Sequence, residues 1–152
     1  MQQLNLPTYQ HRTKTEGDKN LIFDIIRKKY VALTPEEWVR QNFIHYLINE
    51  KNYPAPLIAV EMALKVNTVT RRCDIALYNK KGKPFVIVEC KAADVKISQK
   101  TFEQIAGYNI ELQVDYLIVT NGINHYCCKI DYELNTFQFL KDIPDYKEIS
   151  NK

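Results

Sequence analysis

Three charged residues in the middle of the chain, Asp74, Glu89 and Lys91, have the types and spacing that metal-assisted hydrolysis requires. Asp74 belongs to the run RCDIALY (72–78), and the other two residues end the run PFVIVECK (84–91). Both runs are rich in β-branched and aromatic residues, and a short glycine-containing segment separates them. Together they predict a β-hairpin that carries all three charged groups.

The register of this hairpin decides whether the three side chains meet. With the turn centred between Lys81 and Gly82, Asp74 lies directly opposite Glu89. Side chains alternate along a strand, so Glu89 and Lys91 share one face, and Asp74 joins that face in this register. We therefore expect two carboxylates and an ammonium group to converge at the open end of the hairpin, away from its turn.

Two carboxylates that emerge together from buried strands repel each other, and a divalent cation relieves that repulsion. Mg²⁺ or Mn²⁺ suits the site, because such ions prefer oxygen ligands and keep positions for water and a substrate phosphate. We expect Asp74, Glu89 and the backbone carbonyl of Cys90 to be the metal ligands. Lys91 would orient or deprotonate the attacking water, or stabilise charge in the transition state. The plain alternative is a strand-end aspartate beside a Glu89–Lys91 ion pair.

The remaining elements predict an α/β fold, in which helices flank a mixed β-sheet. The first 18 residues are polar and are expected to form an extended or frayed arm, and residues 19–152 to form a single domain. Strands besides the hairpin are predicted at about 21–30, 57–66, 115–120, 123–130 and 136–140.

A helix is predicted from position 35, because Thr34 suits the N-cap, Pro35 the first helical position and Glu37 a capping box. Its buried face is expected to carry Val39, Phe43, Tyr46 and Leu47. Glu36 is expected to lie closer than Glu37 to that apolar face.

A second helix is predicted over about 98–112, directly after the hairpin. Gln104 and Tyr108 lie four residues apart and therefore on one face of it. That face is expected to lean over the charged cluster. The plain alternative is a helix face half buried against the sheet.

Composition limits the class of protein without identifying it. The net charge of +3 and pI near 8.6 permit contact with a polyanion but do not require it. No stretch approaches the roughly 20 apolar residues of a membrane span, and the N-terminus resembles no signal peptide, so a cytoplasmic protein without membrane contact is expected. The four cysteines form no C-x-x-C pair and are expected to be reduced and buried.

The segments 72–76 and 83–92 resemble the nuclease core of the PD-(D/E)XK superfamily. More narrowly, they resemble the N-terminal nuclease domain of type I restriction enzyme R subunits and its stand-alone bacterial relatives. The segments TPEEWVRQ (34–41) and LIVTNG (117–122) also resemble that domain, and the resemblance covers roughly residues 20–130. One departure is Cys73, which stands where the superfamily name has proline. The helicase motor of type I enzymes does not follow within these 152 residues, so translocation-coupled restriction is not expected.

The resemblance implies a restriction-endonuclease-like core with a four-stranded mixed sheet, metal-binding Asp74 and Glu89, and a catalytic Lys91. The spacing of Gln104 and Tyr108 is similar to the Q-x-x-x-Y motif of nucleases related to the recombination exonucleases, where the two residues orient substrate phosphate or support the site. The implied activity is metal-dependent hydrolysis of DNA phosphodiester bonds.

Several alternatives stay open at this point. The first helix often supplies a further acidic residue in this superfamily, and Glu36, Glu37 and, in the next strand, Glu61 are all candidates. The rival function is a nuclease-fold module that binds nucleic acid or a partner protein without cutting. In either case a chain this small is expected to need DNA of special structure, a protein partner or a second subunit for targeting.

Overall fold

Apolar strands in the middle of the chain build a six-stranded mixed sheet in this structure, a computed structural model that describes residues 1–150. In spatial order the strands are β4 (Ile58–Val66), β5 (Val69–Tyr78), β6 (Pro84–Cys90), β7 (Tyr116–Thr120), β8 (His125–Asp131) and β9 (Thr136–Leu140). All neighbours are antiparallel except β6 and β7, which run parallel. The predicted α/β class with a mixed sheet is confirmed. The last two residues of the predicted domain, 151–152, lie outside the described residues.

Two helices flank this sheet, as predicted. Helix α1 (Pro35–Asn49) contributes to one buried apolar cluster, and helix α2 (Gln99–Asn109), which makes the crossover from β6 to β7, contributes to another. Consecutive residues of the central strands alternate between the two clusters, so the helices cover opposite faces of the sheet. A one-turn helix, α3 (Tyr146–Ile149), was not predicted, although Asp145 and Glu148 form a capping box at its start.

The N-terminal region differs from its prediction. It contains a three-stranded antiparallel sheet of β1 (Thr13–Glu16), β2 (Lys19–Asp24) and β3 (Lys29–Ala32). The single strand predicted over 21–30 is therefore wrong, because the chain turns after Asp24. The Asp24 carboxylate accepts hydrogen bonds from the backbone N–H groups of Ile26 and Arg27, both at 2.8 Å, and replaces the missing strand partners there.

The first twelve residues lie against the rest of the molecule rather than fraying from it. The backbone N–H of Asn5 donates to the carbonyl of Gly122 at 2.8 Å, and the indole N–H of Trp38 donates to the carbonyl of Gln2 at 2.8 Å. Leu4 and Leu6 pack against the α1 side of the core. The predicted polar arm is thus a docked segment followed by strand β1.

Two further sequence-based expectations concern the cysteines and the membrane. All four cysteines are buried and free, as predicted. Over residues 1–150, no helix combines the length and the apolar character that crossing a membrane requires.

Candidate active site

The register predicted for the β5–β6 hairpin is confirmed from Ile75 to Leu77, and it shifts by one residue nearer the turn, where Tyr78 pairs with Pro84. Ile75 pairs with Val88 and Ala76 with Ile87, so Asp74 and Glu89 are the next residues toward its open end. The backbone N–H of Cys90 donates to Oδ2 of Asp74 at 2.8 Å and holds that carboxylate against β6. An extended residue directs its N–H and C=O to the same side, so the carbonyl of Cys90 also points toward the Asp74 side.

Simple alternation predicted that Asp74 and Glu89 lie on one face of the sheet, but strand β5 does not alternate regularly at Asp74. Cys73 packs in the α2 cluster while Ile75 packs in the α1 cluster, so the strand changes face at Asp74. Glu61 of β4 lies opposite this position, has no ladder partner and adopts a left-handed φ of 53°. The irregularity makes the Asp74 carboxylate accessible to side chains from both sides of the sheet.

On the α1 side, the buried guanidinium of Arg40 binds three carboxylates. Its Nη1 lies 3.1 Å from Oδ1 of Asp74 and 3.1 Å from Oε1 of Glu61. Its Nε and Nη2 donate to the two oxygens of Glu37 at 2.8 and 2.7 Å. Both oxygens of Asp74 therefore accept a hydrogen bond from the protein.

Glu37 does not complete the predicted capping box. Thr34 is the N-cap, as predicted, and its Oγ1 accepts from the N–H of Glu37 at 3.0 Å, but the Glu37 carboxylate turns inward to Arg40 and Gln41. Burial alone would raise the pKa of Glu37. The hydrogen bonds from Arg40 and Gln41 outweigh that effect and hold the pKa below its ordinary value.

On the α2 side, Glu89 lies in a different environment. Burial, the negative charge of Asp74 and a hydrogen bond to Asp74 raise the pKa of Glu89 to about 8, while Lys91 and Asn109 oppose the shift. The charged form of Glu89 is therefore disfavoured beside Asp74. Such a pair is the arrangement that a bound divalent cation would relieve.

Lys91 and the helix α2 enclose a cleft of about 330 Å³ beside Glu89. The cleft joins four of the site residues predicted from the sequence, although the side chains of Gln104 and Tyr108 are largely exposed. Its lining consists of Arg72, Glu89, Lys91, Gln104, Ile105, Tyr108 and Asn109. Asp74 is not part of the lining and adjoins the cleft through Glu89.

The three candidates for a further acidic residue are now distinguishable. Glu37 is buried on Arg40, and Glu61 binds Arg40 and Arg72 at 3.1 Å each. The expectation that Glu36 lies nearer the apolar face is wrong, because Glu37 is buried and Glu36 exposed. Partial desolvation and the charge of Asp74 nevertheless raise the pKa of Glu36, so its carboxyl is the one of the three that senses the site without an arginine partner at hydrogen-bond distance.

The donor set at the hairpin end fits Mg²⁺ or Mn²⁺ chemically. Two carboxylates and the Cys90 carbonyl are hard oxygen ligands, and the raised pKa of Glu89 reflects its burial first and the adjacent charge of Asp74 second. Throughout the described part of the chain, no group of three or more His, Cys, Asp or Glu side chains is placed to hold a metal. A metal here would thus depend on backbone and solvent oxygens for its further ligands.

Sequence reasoning missed Arg40, Arg72 and Asn109 in this region. Arg40 follows Glu37 by three residues on α1, a spacing at which opposite charges meet on a helix, so this pair was detectable. Arg72 and Asn109 carried no comparable signal, since strand and helix bring them together from distant positions.

Comparison with known families identifies most of the chain. Residues 35–144 match the family described as "Type I restriction enzyme R protein N terminus (HSDR_N)", which covers more than half of the chain. No curated protein matches.

Among solved structures, the chain is similar to "the fragment structure of a putative HsdR subunit of a type I restriction enzyme from Vibrio vulnificus YJ016". The two share 20% sequence identity, with a TM-score of 0.48, over 70% of this chain and 22% of that one. This chain thus spans about a fifth of the length of that solved chain.

Proposed function

Because the chain belongs to the family of type I restriction enzyme R protein N termini, we propose that it is a nuclease that hydrolyses DNA phosphodiester bonds with Mg²⁺ or Mn²⁺. The observation that carries the proposal is the convergence of Glu89, Lys91, Gln104 and Tyr108 around one cleft, with Asp74 alongside. Acidic, basic and amide groups that line one open cleft suit a substrate that carries phosphate.

Each residue has a role that its position supports. Asp74, Glu89 and the Cys90 carbonyl would hold the metal, which when bound supplies an activated water and neutralises charge on the phosphate. The Lys91 ammonium, in the same cleft as Glu89, orients the attacking water or stabilises charge in the transition state. The Gln104 amide and the Tyr108 hydroxyl donate to phosphate oxygens from helix α2. Glu36 is a candidate for a further acidic group of the same site.

Glu89 must release its proton to act as a ligand. Since its pKa is raised to about 8, a bound metal would have to displace that proton, and the affinity for metal would rise with pH up to that value. We expect weaker metal binding at pH 6 than at pH 8.

DNA is the proposed substrate, and a protein partner or second subunit the proposed source of targeting. The matched family is the N-terminal part of an R protein, which implies that such domains act within larger proteins. A monomer that cuts a defined DNA sequence by itself would contradict the need for a partner.

One observation favours a second candidate, a non-catalytic module that binds nucleic acid or a partner protein. Both oxygens of Asp74 already accept hydrogen bonds, from Cys90 and from Arg40. A carboxylate offers about four lone pairs, so these bonds leave room for a metal but do not demand one. Metal binding therefore separates the two candidates.

The test is titration of Mg²⁺ and Mn²⁺ into the wild type, Lys91→Ala and Lys83→Ala, with supercoiled and linear DNA as substrates. Lys83 is exposed in the turn at the other end of the hairpin and controls for loss of one positive charge. We expect metal-dependent cutting that Lys91→Ala lowers by at least about 100-fold and Lys83→Ala leaves unchanged. No cutting, together with no metal binding by calorimetry, would support the non-catalytic module.

A further inference from the structure

A row of buried and half-buried charged groups leads from the N-terminal sheet to Asp74. It begins at Asp24, whose side chain is fully buried at the end of β2, and continues through Arg27, Glu37 and Arg40. Arg27 donates from Nε to Asp24 at 2.6 Å and from Nη2 to Glu37 at 3.2 Å. Every member contacts the next, so the row links strand β2 to the proposed metal ligand.

The geometry at Arg40 determines where its third nitrogen points. A guanidinium is planar and rigid, and Glu37 binds two of its nitrogens with both carboxylate oxygens. The remaining Nη1 is thereby directed at Asp74 and Glu61. A lysine at this position would keep the positive charge, but it has no rigid set of donors to hold the carboxylates of Asp74 and Glu61 in fixed positions.

Glu37 is itself held from the N-terminal side. Arg27 donates to its Oε1, and Gln41 donates to its Oε2 at 3.0 Å while also donating to Asp24 at 2.9 Å. Asp24 in turn accepts from two backbone N–H groups of the turn after β2. The position of the Glu37 carboxylate therefore depends on that turn, which precedes the residues matched by the family, 35–144.

Stability alone is a weak reason for such a row, because buried ion pairs seldom stabilise a fold more than apolar residues of equal volume would. We propose that Arg40 is a positioning residue that fixes the Asp74 carboxylate for metal binding, and that the N-terminal sheet acts on the site through Arg27 and Glu37. The inference rests on the proposed function, since it takes Asp74 to be a metal ligand.

Three arginine-to-lysine variants test it, each of which keeps the charge. Arg40→Lys alters the direct contact with Asp74, Arg27→Lys alters a contact one step removed, and Arg12→Lys is the control. The guanidinium carbon of Arg12 lies 4.2 Å from the ring centroid of Phe23, a residue of the N-terminal sheet, and Arg12 is absent from the row. The measurements are the dissociation constant for Mn²⁺ by calorimetry on the folded proteins, their thermal stability, and kcat and KM on DNA.

We expect Arg40→Lys to weaken Mn²⁺ binding by about 10- to 100-fold, the usual effect of removing a partner that orients a metal ligand. Arg27→Lys should weaken it less, and Arg12→Lys should not change it. The loss in Arg40→Lys should fall on kcat, with KM for DNA preserved, because Arg40 does not line the cleft. If Arg40→Lys does not fold, Arg27→Lys still decides the question.

A purely structural role predicts a different pattern. Thermal stability would fall in Arg40→Lys and Arg27→Lys, while both folded proteins would bind Mn²⁺ as tightly as Arg12→Lys. That result would overturn this inference and leave the proposed nuclease intact. Absence of Mn²⁺ binding by the wild type would overturn both.

Discussion

The two carboxylates at the end of the β5–β6 hairpin occupy contrasting surroundings. Asp74 accepts hydrogen bonds from Cys90 and from Arg40, and the groups behind it on the α1 side are already paired with one another. Glu89, on the α2 side, is buried beside Asp74 with a pKa raised to about 8, and it borders an open cleft. The two carboxyl groups thus differ: the guanidinium of Arg40 offsets the charge of Asp74, whereas burial disfavours the charged form of Glu89.

In the proposed site, this difference separates the groups that position Asp74 from the groups that would contact substrate. On the α1 side, arginines and carboxylates bind one another and hold the Asp74 carboxylate in place. On the α2 side, Lys91, Gln104 and Tyr108 face a cleft and are free to respond to a bound phosphate. A cation and its substrate are therefore expected to approach from the α2 side and to find Asp74 already oriented.

The largest effect on the α1 side is expected from a substitution of Asp24. Asp24→Ala removes a fully buried carboxylate that accepts from Arg27, Gln41 and two backbone N–H groups, which should lower the free energy of unfolding by about 3–5 kcal/mol. Urea unfolding of the variant measures the change. Asp18→Ala, in an exposed turn between β1 and β2, is the matched control and should change stability by less than about 0.5 kcal/mol. Equal effects of the two substitutions would show that the α1 side is not held by its ion pairs.

On the α2 side, Glu89→Gln should change how the free energy of unfolding depends on pH. Because folding raises the pKa of Glu89 from its ordinary 4.5 to about 8, the folded state binds the extra proton between these values. The free energy of unfolding therefore loses this contribution as pH rises from 4.5 to 8, and the variant should lack that loss. Thermal unfolding at pH 5.5, 7 and 8.5 compares the slopes.

Mg²⁺ provides the second arm of the Glu89 experiment. It should stabilise the wild type most at the upper end of this pH range, where the proton is easiest to displace, and stabilise Glu89→Gln much less. Parallel pH slopes for the two proteins, with equal stabilisation by Mg²⁺, would contradict the different environments assigned to the two acids.

The smallest effect is expected at the rim of the cleft. Gln104→Ala removes one amide from an exposed position of α2, so KM for DNA should rise by about 3- to 10-fold, the equivalent of one hydrogen bond, without loss of stability. Glu103→Ala, the adjacent exposed residue outside the cleft, should not raise KM. A kinetic assay on linear DNA distinguishes the two, and identical values would remove Gln104 from the substrate site.

The sequence predicted the parts of this site that depend on local periodicity. Strand alternation and a glycine turn sufficed to place Asp74 and Glu89 at one hairpin end, and the confirmed pairing of Ile75 with Val88 follows from the same pattern. The four-residue spacing of Gln104 and Tyr108 likewise sufficed to place both side chains at the cleft. Such features depend on residues close in the chain.

Of the row from Asp24 to Arg40, those rules could have predicted the Glu37–Arg40 pair but not its links to Asp24, Arg27 and Asp74. Glu37 stands where a capping residue belongs, but its carboxylate binds Arg40 and Gln41, three and four residues further along the same helix, instead of the N-cap backbone. The turn after β2 has Lys28 at a φ of 57°, without the glycine or asparagine that marks such a position. The change of face at Asp74 was also hidden, because it depends on an irregular backbone at Glu61.

The docked N-terminal segment has a consequence for how the molecule is made. Asn5 pairs through its backbone with Gly122 and accepts from His125, which lies 120 residues further along the chain, so this segment cannot reach its partners until they have been synthesised. Loops this long form slowly because their closure costs entropy that only late contacts repay. Until then Leu4 and Leu6 lack part of the surface on which they pack, and we expect the docked segment to fold after the sheet that it covers.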